Sequence, residues 1–136
     1  MKLEWSGSQE EQTRIAGWIR GGLQEPLVIE SRTDYITWFQ LHHETPRFLC
    51  CPLGLALIGF HRLPPNSRSV EEVHEIFYQY RDEYRGTSMQ SALEDLAELL
   101  GINPALAWQI ERVHLYGIPA KNIAEFLNPI PRDLLR

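Results

Sequence analysis

Cysteine is nearly absent from this 136-residue chain: there are two, and they are neighbours, Cys50 and Cys51. Two are too few for a disulfide-stapled secreted scaffold, and adjacent cysteines can pair only through a strained ring, so reduced thiols in a cytoplasmic setting are expected. Positive charge is also short, with 13 Lys and Arg against 18 Asp and Glu for a formal net charge of -5. Such a balance gives no electrostatic footprint for a nucleic-acid backbone or an anionic membrane, and it favours a protein or small-molecule partner. Long hydrophobic runs are missing too. The longest, Leu49 to Phe60, is too short to span a bilayer and is interrupted by Pro52, Gly54 and Gly59. The opening MKLEWSGSQEEQ has no basic segment followed by an apolar run, so no signal peptide is expected. We find no repeats, no low-complexity tract and no interdomain linker.

What is present suits one self-sufficient core. A chain of 136 residues with 43% hydrophobic content can bury roughly two thirds of its unfolded surface. Ser8 with Glu11 forms a capping box for a first helix whose Ile15, Trp18, Ile19 and Leu23 share a face, and Gly21 and Gly22 are expected to weaken or stop it. The stretch from Leu27 to Leu41 is rich in β-branched and aromatic residues, yet Tyr35, Trp38, Phe39 and His42 also fit a helix. We read it as a short hairpin or extended arm, with residues 33–42 open between helix and strand. Cys51 can cap a helix that starts at Pro52 and runs to about Gly59. Ser69 with Glu72 opens a further helix ending at Gly86, with Val70, Val73, Ile76, Phe77, Tyr80 and Tyr84 as its buried stripe. Thr87 with Gln90 starts another, in which Leu93, Leu96, Ala97 and Leu100 repeat before Gly101. Asn103 and Pro104 begin a helix reaching Gly117, and PAKNIAEFL makes the last, stopping at Asn128-Pro129. The expectation is a mainly α, compact single-domain bundle of about five or six short helices over residues 1–136. A small β-hairpin or extended arm lies around residues 27–49, and an extended proline-containing tail occupies 128–136.

Several constellations invite a chemical reading. His42, His43, Glu44 and His61 lie near the cysteines, but neighbouring Cys50 and Cys51 cannot easily aim both sulfurs at one ion, so no metal is assigned there. Cys51 at a helix N-terminus is a candidate thiol, because the helix dipole favours a thiolate; no general base or oxyanion donor accompanies it in the sequence. Glu71-x-x-His74 and Glu111-x-x-His114 form half of a di-iron carboxylate pattern. On a helical wheel, however, Glu111 falls roughly 130° from the Leu106, Ile110, Val113 stripe, and Glu71 lies almost opposite its own. Solvated charged faces are therefore expected, with no metal and no cofactor.

The segment IERVHLYGIPAKNIAEFL scans as helix, glycine turn, helix, and so resembles part of a helix-turn-helix. Its second helix offers Lys121 and Asn122 for base contacts but also Glu125, so a hairpin of helices packed on the core is preferred. The helix from Pro104 to Tyr116 carries apolar residues on two faces, Leu106, Ile110 and Val113 on one, Trp108 and Leu115 on the other. Such a helix is either central or presents a partner surface. Tyr78 lies off its own stripe, and Ile130, Leu134 and Leu135 add apolar residues to the tail, which could dock or fold back over the core.

Three segments, IAGWIRGGLQEP, CCPLGLALIG and GIPAKNIAEFL, together resemble small uncharacterised bacterial and phage proteins. Those proteins have a Trp-containing first helix ending in glycine, a Cys-Cys-x-Leu-Gly helix start and a closing helix containing Ile-Ala. The matches fall on Trp18, Gly21, Cys50, Cys51, Leu53, Gly54, Ile123 and Ala124, and this chain departs at Pro52 and in a longer aromatic stretch before the cysteines. The resemblance implies a compact, largely helical fold and brings no activity.

The functional expectation is a non-enzymatic cytoplasmic protein-interaction or regulatory module, using Trp108, Leu115, Tyr78, Ile130, Leu134 and Leu135 for a protein partner or self-association. Two alternatives stand beside it: a thiol-dependent enzyme or redox sensor using Cys51, and a nucleic-acid binder through residues 104–127 with Lys121 and Asn122.

Overall fold

The computed structural model describes residues 4–26, 28–30, 40–41, 48–61 and 89–128. In chain order these form α1 (Gln9–Leu23), β1 (Val28–Glu30), β2 (Gln40–Leu41), β3 (Phe48–Cys50), α2 (Pro52–His61), α3 (Met89–Leu100), α4 (Pro104–Leu115) and α5 (Ala120–Leu127). The expected helix from Ser69 to Gly86, with Glu71, His74 and Tyr78, lies outside the described residues. So do His42, His43, Glu44 and the tail residues Ile130, Leu134 and Leu135. The described chain is mainly helical with a small sheet.

Local chemistry accounts for the ends of these elements. The capping box at α1 is complete: Ser8 Oγ accepts the Glu11 N–H at 3.1 Å, and Glu11 Oε2 accepts the Ser8 N–H at 3.2 Å. Asn103 Oδ1 accepts the Ala105 N–H at 2.8 Å and Pro104 occupies the first turn of α4, where its missing N–H costs nothing. Gly101 and Gly117 adopt φ of +67° and +102° after α3 and α4, a conformation open to glycine without steric penalty. The helix α2 starts at Pro52, as the sequence suggests, and continues past Gly59 to His61.

Gly21 and Gly22 do not stop α1, which runs through both to Leu23. Their role is contact. A Cβ on Gly22 would strike the carbonyl of Leu55, and a Cβ on Gly59 would strike the carbonyl of Trp18, so each helix presses a glycine against the other's backbone. This crossing makes α1 and α2 the most extensively packed pair, with the rings of Trp18 and Phe60 closing its edge at 5.2 Å and 83°.

The sheet has the order β1-β3-β2. β1 runs parallel to β3, with Glu30 opposite Cys50, and β2 runs antiparallel, with Gln40 opposite Leu49. The arm expected around residues 27–49 therefore contributes the antiparallel pair β2–β3, and β1 adds to it in parallel. Around α2, which is buried from Pro52 to Ile58, the core gathers Ile15 and Ile19 of α1, Leu93 and Leu96 of α3, Leu106 and Ile110 of α4, and Ile123 and Leu127 of α5. Arg20 ties α1 to the end of α5: its Nη2 donates to the Asn128 carbonyl at 2.6 Å and pairs with Glu125 at 3.4 Å. Arg14 reaches the Gly101 carbonyl at 2.9 Å in the same way. These donors satisfy carbonyls that helix ends leave unpaired.

Candidate functional site

The helix α4 does not bury the face its apolar residues suggest. Its buried residues are Leu106, Ala107, Ile110, Glu111 and His114, while Val113 is only half-buried. The expectation that Glu111 and His114 lie on a solvated face is therefore wrong. The buried arc is centred about 70° from the Leu106–Ile110–Val113 direction, near His114 itself. A wheel weighted by apolar residues alone points away from a polar group that the fold pairs internally.

What pairs them are the starts of two other helices. Glu111 Oε1 accepts the Leu53 N–H at 3.0 Å in the first turn of α2. The Cys51 thiol faces both the Gly54 N–H and the same carboxylate, so Cys51 and Glu111 together cap α2. One turn along α4, His114 Nε2 lies 2.9 Å from Glu30 Oε2. That oxygen also accepts the Ala120 N–H at 2.9 Å, which caps α5, a helix whose own N-cap residue, Pro119, supplies no side-chain bond. Register places Glu30 for this task, since it stands opposite Cys50 in the parallel pair β1–β3. Two carboxylates remote in sequence thus sit at two helix N-termini, where negative charge is favoured.

The chemistry of this cluster differs from that of an exposed reactive thiol. Cys50 and Cys51 are both free and fully buried, and burial pushes both thiols well above their ordinary pKa; the Glu111 charge beside Cys51 acts in the same direction. Helix position alone favours a thiolate, but desolvation outweighs it here. Burial also lifts Glu111 to about 7, against the lowering effects of the Leu53 N–H, the Cys51 thiol and His114. Among the described residues no group of three or more His, Cys, Asp or Glu side chains could hold a metal ion.

The opposite face of α4 meets solvent. Trp108 is half-buried and packs against the core, while Arg112 and Leu115 are exposed, the latter by 39%, and Tyr116 just past the helix end is 81% exposed. Beside them the N-terminal segment crosses α4, where Gln109 accepts the Ser6 N–H at 2.7 Å and donates to the Glu4 carbonyl at 3.2 Å. The junction leaves a shallow notch of about 220 Å³ lined by Glu4, Trp5, Gln109, Arg112, Val113 and Tyr116. Lys121 and Asn122 are exposed on α5. Sequence reasoning finds Trp108 and Leu115 but misses Tyr116 and the tie from Glu30; no local spacing signals a residue that acts across more than 80 positions.

Comparison with family models, curated proteins and solved structures finds no match for this chain. Among the described residues no helix is long and apolar enough to cross a membrane.

Proposed function

We propose that the chain is a non-enzymatic protein-interaction module whose contact surface is the outer face of α4, built on Trp108, Arg112, Leu115 and Tyr116. The observation that carries this reading is Tyr116, an aromatic residue 81% exposed at the rim of the notch and adjacent to Leu115, also exposed. Tyrosine and arginine beside apolar neighbours are the residue types that anchor protein interfaces, because they offer large contact area with polar tips. Support also comes from the chemically active side chains: Cys51, Glu111 and His114 are fully buried and directed at each other and at helix termini. A nucleic-acid partner is disfavoured by the net charge of -5.

The test compares proteins captured from the native host by the wild type, by Tyr116→Ser with Leu115→Ser, and by Lys121→Ala. The reading expects a protein captured by the wild type and Lys121→Ala and lost with the double variant. Equal capture by all three, or none by any, overturns it.

A further inference from the structure

We propose that Glu111 and His114 form a site for one shared proton, held between Glu111 Oε2 and His114 Nδ1, that couples the first turn of α2 to the first turn of α5. This inference goes beyond the interaction reading and stands independently of it.

Its basis is an inventory of donors and acceptors. Glu30 Oε2 accepts the Ala120 N–H, so toward His114 it is again the acceptor and the ring carries hydrogen on Nε2. A neutral ring so oriented presents a lone pair at Nδ1, and Nδ1 is buried with no hydrogen-bond partner. Glu111 uses Oε1 on Leu53, and its Oε2 is likewise buried without a partner. Two buried acceptors one helical turn apart, both lacking a donor, are one proton short of satisfaction. A proton taken from solvent, on whichever of the two atoms it resides, turns the pair into donor and acceptor. It closes the chain Leu53 N–H to Glu111, Glu111 to His114, His114 to Glu30, and Glu30 to the Ala120 N–H. Glu30, at 24% exposure, is the edge of this chain that solvent reaches.

The surroundings do not supply a competing charge. Cys51 faces Glu111 as a neutral thiol, and Cys50 is buried and neutral. The ionisable residues Glu94, Asp95 and Glu98 of α3 are exposed, as is Lys121 of α5, while Glu125 is engaged with Arg20. The elevated affinity of Glu111 for a proton agrees with this arrangement and places the uptake near neutrality.

The experiment follows the Glu111 carboxyl carbon and the His114 ring nitrogens by NMR in the intact wild-type chain between about pH 5 and 9, with amide exchange at Leu53 and Ala120. The proposal expects one common midpoint near neutrality for both side chains, hydrogen retained on Nε2 throughout, and amide protection at both helix starts rising about tenfold on protonation. Glu111→Gln should uncouple Ala120 protection from pH. Separate midpoints in the wild type, or protection at Ala120 that ignores the Glu111 titration, would overturn it. The wild-type titration decides the matter even if the variant does not fold.

Discussion

The carboxylate of Glu111 accepts the backbone N–H of Leu53 across 58 positions of sequence at 3.0 Å, inside the protein and at the start of the helix that forms the centre of the core. Around this bond the polar cluster acts as a joint between α2, α4, β1 and α5.

If Glu30 is the common tie, Glu30→Ala should be costly although its side chain is partly exposed. It strands the buried His114 ring and removes the cap of α5. We expect a loss of about 3 kcal/mol in urea denaturation, with Glu30→Gln losing less because its amide oxygen still accepts.

Gly22 and Gly59 should tolerate alanine poorly, since the added methyl meets backbone carbonyls that cannot move without separating α1 from α2. Each substitution should cost about 1–3 kcal/mol. Gly17 lies on the same α1 helix, and a methyl added there would find nothing within 4 Å, so Gly17→Ala should stabilise by about 0.5–1 kcal/mol. Thermal melts of the three variants provide the comparison.

Cys51 should resist alkylation in the native state and react at the rate set by unfolding, because the thiol is buried and held protonated. Iodoacetamide trapping of native and urea-unfolded chains, resolved by peptide mass, measures this directly. Native labelling faster than unfolded labelling would restore the thiol chemistry that its helix position suggests.

Much of the fold is legible in the sequence because helix boundaries are written locally. Ser8 with Glu11, Asn103 with Pro104, and Gly101 each terminate or start a helix through contacts within a few residues. The apolar stripe of α3 is equally plain, with Leu93, Leu96, Ala97 and Leu100 all buried. The site is not legible for the opposite reason. Glu111 and His114 look solvent-facing when only apolar neighbours set the core direction, and they become tolerable inside because partners arrive from Leu53 and Glu30. Gly22 reads locally as a helix stop, and only the proximity of Leu55 shows that it is a contact. Burial likewise reverses the effect of the helix terminus on Cys51.

The most direct test of the buried polar joint is unfolding free energy against pH, for the wild type and Glu111→Gln. Glu111 binds its proton more tightly folded, at about 7, than at its ordinary value of 4.5. Between those values the native state therefore holds more protons than the unfolded state, so this group's contribution to stability is full below about 4.5, falls as pH rises, and is lost above about 7. The account predicts a decline of about 3 kcal/mol across that window in the wild type relative to Glu111→Gln. Parallel profiles for the two proteins would contradict it and return Glu111 to the solvent.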